Sequence, residues 1–299
     1  MTQSILIIGT GALACLFAAR LSHGGFPITM MGTWVEALAA FRSRGVGLVR
    51  EGCDTPDFFP VNVINTENTD SRFNYAILLT KSHQSSDAMK RALPFLADGA
   101  VILSLQNGLI ARKELEKISV GIRPLLGITT CGAEVIQPGV ARHNGGSLIR
   151  IMKKPEADDL AGFLRESGFT VSLEEKIDQV IWEKAILNSS VNPVGALTGK
   201  RNGELLGLPG TLQVMDDLLG EACLVAESEG YAVCVDEMKT RLRQVMRETQ
   251  SNRCSMLQDV LNGRKTEIEA INGEIITRGA RHGIELPVQT TITNLIRSI

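Results

Sequence analysis

Ser4-Ile-Leu-Ile-Ile-Gly-Thr-Gly-Ala-Leu-Ala14 is the stretch on which the fold turns. Its apolar run is too short for a helix and ends at a glycine, after which Leu16, Ala19 and Leu21 recur at helical spacing. The order is therefore strand, tight turn, helix. The turn has the pattern G-x-G-x-x-A. Gly9 permits the turn, Gly11 lets backbone approach a pyrophosphate, and the small Ala14 lets helix and strand pack closely. Backbone N–H groups over Thr10, Ala12 and Leu13 then face the phosphates of a dinucleotide. An ordinary glycine turn uses the same residues; the placing between a strand and a helix is what favours the dinucleotide.

Further strands follow. Pro27-Ile-Thr-Met-Met31 comes after the Gly24-Gly25 turn, and its end bears on the cofactor. An NAD enzyme usually places Asp or Glu there for the ribose 2′-hydroxyl, and an NADP enzyme often places Arg nearby for the 2′-phosphate. Gly32, Thr33 and Trp34 are neither, although the missing carboxylate removes a repulsion that would reject phosphate. Arg42 and Arg44 on the following helix read as surface arginines. Ala76-Ile-Leu-Leu-Thr80 precedes Lys81, and Val101-Ile-Leu-Ser-Leu105 precedes Gln106-Asn107-Gly108. Ligands of open parallel sheets bind at the carboxyl ends of strands, so Lys81 and Asn107 fall where a cofactor would lie. Turn chemistry accounts for the same residues, since Asn-Gly is a common turn pair. Residues 125–130, 140–143 and 147–152 read as strands, the last two flanking the Asn144-Gly-Gly146 turn.

Beyond Lys176 strand-like runs vanish, and helical patterns are predicted over 177–197, 211–229, 236–262 and 266–282, with a last helix after Pro287. The expected fold is α/β: an N-terminal Rossmann-type doubly wound sheet over residues 1–175, followed by a smaller all-helical C-terminal domain over 176–299. In the first predicted helix of that domain, Lys184, Asn188 and Asn192 drift by only about 40° and about 80° around the axis, so they share one stripe. Ala185, Ile186, Leu187, Val191 and Val194 cover much of the rest, so the stripe must line something wet or bind a polar ligand. A solvated face with amides near a helix end is the plainer alternative. Thr266-Glu-Ile-Glu269 has capping-box spacing, which puts Glu267 in a helix's first turn, where it complements the dipole. Arg253 and Asp259 read as an exposed ion pair.

With 31 basic against 33 acidic residues, the formal net charge of -2 offers no field to hold a polyanion, which argues against nucleic acid and anionic membranes as partners. A small ligand fits better. No apolar run approaches the roughly 20 residues of a membrane span, and Ser4-Ile-Leu-Ile-Ile8 lacks the basic flank of a signal peptide, so a cytoplasmic location is expected. The 6 cysteines and 4 histidines are scattered without metal-site spacing. No metal is expected, and the cysteines read as reduced, structural thiols.

These motifs together, from Gly9-Thr-Gly11-Ala-Leu-Ala14 through Lys81, Gln106-Asn107-Gly108, Trp182 to Pro193, Asn202-Gly-Glu204, Ser255-Met-Leu-Gln-Asp259 and Thr266-Glu267-Ile, resemble the 2-dehydropantoate 2-reductase (ketopantoate reductase) family over nearly the whole chain. The resemblance implies reduction of 2-dehydropantoate to (R)-pantoate with NADPH, a step of pantothenate and coenzyme A biosynthesis. It implies Lys184 as proton donor, and Asn188, Asn192, Asn202, Asn252, Arg253, Cys254 and Ser255 on the substrate. Lys81, Asn107, Ala133 and Glu267 fall on or near the cofactor, with Asn107 touching substrate as well. The family often has arginine where Thr33 stands, so NAD stays open beside NADP. Family members include reductases of other 2-keto acids, and a nucleotide sensor that keeps only the dinucleotide domain would lack a use for Lys184, Asn188, Ser255 and Glu267. A small-molecule 2-keto acid is thus the expected partner, and a homodimer is compatible with the sequence.

Overall fold

The apolar runs became strands because sheet burial on both faces accepts continuous Val, Ile and Leu. In the computed structural model, which describes residues 3–64, 72–117 and 121–299, Ile5 to Ile8 are at most 1% exposed. The chain divides into two compact units, Met1–Gln106 with Ala111–Ile177, and Asn107–Ile110 with Asp178–Ile299.

The first unit runs β1 (Ile5–Ile8), α1 (Ala12–His23), β2 (Ile28–Met31), α2 (Val35–Arg44), β3 (Val46–Val49), β4 (Asp57–Phe59), β5 (Asn62–Val63), β6 (Phe73–Leu78) and α3 (Ser85–Ala92). It continues with β7 (Leu96–Ser104), α4 (Ala111–Glu116), β8 (Ile122–Thr129), β9 (Ala133–Gln137), β10 (Val140–His143), β11 (Leu148–Met152), α5 (Ala157–Glu166) and β12 (Thr170–Glu174). The large sheet has the order β12-β11-β8-β7-β6-β1-β2-β5. From β5 to β8 every pairing is parallel, with Ile5 opposite both Ile28 and Tyr75, while β11 runs antiparallel to β8 and parallel to β12. Strand order reverses at β1, whose neighbours are β2 and β6, and this switch point opens a crevice at the strands' carboxyl ends.

A second sheet, β4-β3-β10-β9, was not expected from the sequence. The strands on either side of the Asn144-Gly-Gly146 turn do not pair with each other: β10 joins β3 and β9 in the small sheet, and β11 joins β8 and β12 in the large one. Helix α1 packs on β3 and β10, sharing a core of Phe17, Leu48 and Ala141.

The second unit is helical apart from its short Asn107–Ile110 segment: α6 (Ile177–Thr198), α7 (Asn202–Leu206), α8 (Pro209–Ser228), α9 (Val235–Glu248), α10 (Ser255–Leu261), a π-helical turn (Glu269–Gly273), α11 (Glu274–Arg281) and α12 (Pro287–Arg297). Trp182, Ile186, Met215, Leu218, Leu242 and Ile275 lie in its core. Two expected helices are broken. The 236–262 pattern splits at 249–254, where the Thr249 hydroxyl donates back to the Val245 carbonyl (2.7 Å) and the Asn252 N–H turns onto the Thr249 carbonyl (2.8 Å). The 266–282 pattern begins as the π turn, and Glu269 does not close a capping box. Its carboxylate instead takes Arg297 in a two-pronged pair at 2.7 and 2.8 Å, which also holds its carboxyl below the usual range.

Helix α12 starts at Pro287, and its cap comes from another helix. Glu221 of α8 accepts from the Val288 and Gln289 N–H groups at 2.9 and 2.8 Å, because Leu286 has no side chain that can cap. Glu221→Ala should therefore lower stability by about 1–2 kcal/mol, as loss of a cap does. The check is a shifted urea midpoint at unchanged slope; a midpoint equal to wild type would show that water caps α12 equally well.

Candidate active site

At the carboxyl end of β1, Gly9 has φ +140°, and a Cβ there would meet the Leu79 carbonyl carbon and oxygen at 3.0 Å. Only glycine lets the turn pass this close to the strand on the other side of the switch point. A Cβ at Gly11, by contrast, would meet nothing within 4 Å, so the face of the turn is open. Helix α1 has no side-chain cap and no acidic residue in its first turn, which leaves the N–H groups over Ala12, Leu13 and Ala14 and the positive end of the dipole to an anion. Ala14 is 0% exposed, packed as the fingerprint requires. These residues fit the pyrophosphate of a dinucleotide.

Thr33, just past β2, is exposed, and so is Arg42. Arg44 is occupied elsewhere, its guanidinium 5.2 Å over the Phe58 ring and donating to the Pro138 carbonyl at 3.2 Å. Lys81 is half-buried at the start of the 3-10 turn Ser82–Gln84. A residue not singled out from the sequence holds this loop. Gln106 Nε2 donates to the Thr80 carbonyl (2.8 Å) and to Ser85 Oγ (2.5 Å), while Ser104 Oγ donates to Gln106 Oε1 (3.3 Å). Its only signal was its place at a strand's carboxyl end. Ala133 opens β9 and packs on the first unit's core. Among the described residues no cluster of His, Cys, Asp or Glu could hold a metal.

In the second unit, α6 is buried on several sides, with Ile186, Ser189 and Ser190 at 0% exposure. Lys184 and Asn188 are half-buried along it, and Asn192 is buried. The broken helix brings the other asparagines together. Asn202, at the start of α7, donates its N–H to the Asn252 carbonyl (3.0 Å) and its Nδ2 to Thr249 Oγ1 (2.8 Å). Asn202 Oδ1 is buried and has no partner, so a donor from a ligand would satisfy it. Arg201 also donates to the Ser251 carbonyl, holding the 249–254 loop. Cys254 caps α10, accepting from the Leu257 N–H at 3.4 Å and donating to the Asn192 carbonyl at 3.4 Å. Burial pushes its thiol up to about 11, so it is a neutral donor here and not a nucleophile. The thiol thus ties Asn192 to the loop that places the half-buried Ser255. Arg253 is exposed, whereas Asp259 is buried, so the two are not the expected surface pair.

Asn107 belongs to this unit by contact. Its Nδ2 donates to Glu267 Oε2 at 3.2 Å, and Glu267, buried at 6% exposure, lies in the bend before the π turn and not inside a helix's first turn. The neighbouring Gly108 has φ +87°, and the Leu109 N–H donates to the Ala270 carbonyl at 3.1 Å. Arg278 fastens the segment, donating to the Leu109 carbonyl (3.2 Å), Glu229 (2.7 Å) and Glu274 (3.0 Å), with its guanidinium 5.6 Å over the Trp182 ring.

Residues 5–155 match the family model described as ketopantoate reductase PanE/ApbA, and residues 176–299 match that of its C-terminal part. The 2-dehydropantoate 2-reductase of Halobacterium salinarum is 31% identical, covering 98% of this chain and 97% of that one. Its namesake from Pyrococcus horikoshii is 30% identical over 99% and 97%. The solved PanE/ApbA family ketopantoate reductase of Ralstonia eutropha superposes with a TM-score of 0.90 at 25% identity, over 99% and 97% of the two chains. With the glycine turn inside one matched segment and the lysine and asparagine helix inside the other, the chain belongs to the ketopantoate reductase family of oxidoreductases.

Proposed function

We propose that the protein reduces 2-dehydropantoate to (R)-pantoate with NADPH, as a step of pantothenate and coenzyme A biosynthesis in the cytoplasm. The observation that carries this reading is the stripe of Lys184, Asn188 and Asn192 on a largely buried helix, tied through Cys254 to Ser255. When bound, the nicotinamide cofactor supplies a hydride to the keto carbon. The turn at Gly9 and Gly11 and the start of α1 would hold its phosphates, with Lys81 on or near the cofactor. Lys184 donates a hydrogen bond to the carbonyl oxygen, favours the charge that develops there and gives that oxygen its proton. Ser255, Asn188, Asn192 and Asn252 hold the carboxylate and orient the chain of the keto acid. Asn202 Oδ1, an acceptor with no partner, suits the substrate's hydroxyl. Asn107, whose amide is oriented by Glu267, is assigned to the cofactor and to the substrate. No helix among the described residues is long and apolar enough to cross a membrane. A homodimer is the proposed assembly.

The test follows NADPH and NADH absorbance with a panel of 2-keto acids. Turnover of 2-dehydropantoate above bulkier and smaller keto acids supports the reading; preference for another keto acid replaces the substrate but keeps the chemistry; inactivity on all of them overturns it. NADPH preference rests on the missing carboxylate after β2. Thr33→Arg should then lower the NADPH Michaelis constant, since a guanidinium pairs with the 2′-phosphate. A native enzyme that works better with NADH at equal concentration would refute the preference.

A further inference from the structure

Pro193 lies inside α6, and a proline has no N–H to give to the carbonyl four residues earlier, that of Ser189. Ser189 is 0% exposed, so water cannot take the place of the missing donor. The hydroxyls of Ser189 and Ser190 both turn back onto the Ile186 carbonyl, at 2.9 Å each. The donor comes from another element. Asn272 Nδ2 reaches the Ser189 carbonyl at 2.9 Å, and its second hydrogen goes to Gln289 Oε1 at 2.8 Å. The direction of that amide is set by its neighbours: the nitrogen end of Gln289 faces the Leu218 carbonyl (2.9 Å), so its oxygen end faces Asn272.

Asn272 is itself fully buried, and its Oδ1 has no partner. A buried amide with an orphaned oxygen is unfavourable, and an apolar side chain of the same size would avoid the penalty. Its presence is explained by what its two N–H bonds do. The residue stands in the π turn, where the Gly273 N–H skips to the Ile268 carbonyl at 2.9 Å, and this turn follows directly on Glu267, the partner of Asn107. Single π turns in helices occur often at functional sites.

We propose that Asn272 is a positioning residue: its amide replaces the donor that Pro193 removes and so fixes the turn of α6 that presents Asn188 and Asn192. The catalytic consequence rests on the function proposed above for those two asparagines; the physical cause rests on Pro193 and Asn272 alone. Asn272→Leu keeps the volume and removes the donor. It should lower kcat/KM for the keto acid about tenfold, the effect of leaving one buried acceptor unpaired, mainly through KM. The dissociation constant for NADPH should stay within about twofold, because α1 and its glycine turn are untouched. Pro193→Ala restores an N–H within the helix, so adding it to Asn272→Leu should recover most of the loss in both kcat/KM and Tm. Penalties that simply multiply in the double variant overturn the proposal, as does a cofactor constant that moves as much as the keto acid KM. If Asn272→Leu alone does not fold, the double variant must give a folded, active enzyme; failure to do so also overturns it. Wild-type turnover on the keto acid panel separately judges the functional reading, whereas absence of coupling in Tm refutes the substitution of donors whatever the wild type reduces.

Discussion

Lys184→Ala should reduce turnover by about 10²–10⁴-fold, the contribution usual for a general acid. The NADPH dissociation constant should change little, because the glycine turn and α1 that fit the cofactor's phosphates belong to the first unit and Lys184 to the second. The lysine must be protonated to act as donor. Rate in the reductive direction should therefore fall as pH rises through the lysine's titration, the reverse oxidation should show the opposite trend, and the alanine variant should lose this alkaline limb. Turnover and cofactor binding measured across pH for both proteins decide the matter. A variant that keeps more than about a tenth of wild-type turnover, well short of a general acid's share, with its alkaline limb intact, would mean that the proton comes from another group.

Gly108→Ala should have the second large effect. The residue sits at φ +87°, and a Cβ there would lie 2.2 Å from the Ala270 carbonyl oxygen and 2.8 Å from its carbon. Those are backbone atoms of the π turn, which cannot swing aside as a side chain could. The segment must back away, and Asn107 then leaves Glu267. Stability should drop by about 1–3 kcal/mol from the strained conformation, and more if the segment detaches. The keto acid kcat/KM should fall by more than about tenfold, as expected when a positioned group moves by an ångström. Gly283→Ala is the control, since it also has positive φ, at +69°, but a Cβ there meets nothing within 4 Å. It should show only the strain. Equal urea midpoints and equal kinetics for the two variants would show that the contact with Ala270 yields easily.

What could be read from the sequence was what local periodicity encodes. Ile5 to Ile8 and the glycines after them mark a strand and its turn whatever surrounds them, and Lys184, Asn188 and Asn192 share a stripe by helical geometry alone. The small sheet escaped because β3, Val46-Gly-Leu-Val49, is four residues long and finds its partner β10 far along the chain, past most of the large sheet. A strand this short, with no fingerprint turn after it as β1 has, carries little pattern, and nothing local specifies a distant partner. Glu269 misled for a related reason: its spacing from Thr266 suits a capping box, but Arg297 offers a two-pronged charged partner that the backbone N–H cannot match. Within the candidate site, the shared stripe of Asn188 and Asn192 was legible from their helix, whereas the bond from Cys254 to the Asn192 carbonyl depends on a break at 249–254 that interrupts an otherwise convincing helical pattern. Asn272 was invisible, because no spacing shows which buried amide will meet the carbonyl left by a proline.

The chain leaves its first unit after Gln106, returns at Ala111, and departs again only after Ile177. The four residues Asn107–Ile110 are thus a piece of the helical unit encoded in the middle of the α/β one. Recombination at a single junction near Ile177 would not exchange intact halves with another protein. A helical half beginning at Asp178 would arrive without the Asn107 amide for Glu267, the Leu109 N–H for the Ala270 carbonyl and the Leu109 carbonyl for Arg278. Its new partner would have to supply the same short loop, at the same strand end, for the graft to fold and work. This arrangement ties the inheritance of the two halves together.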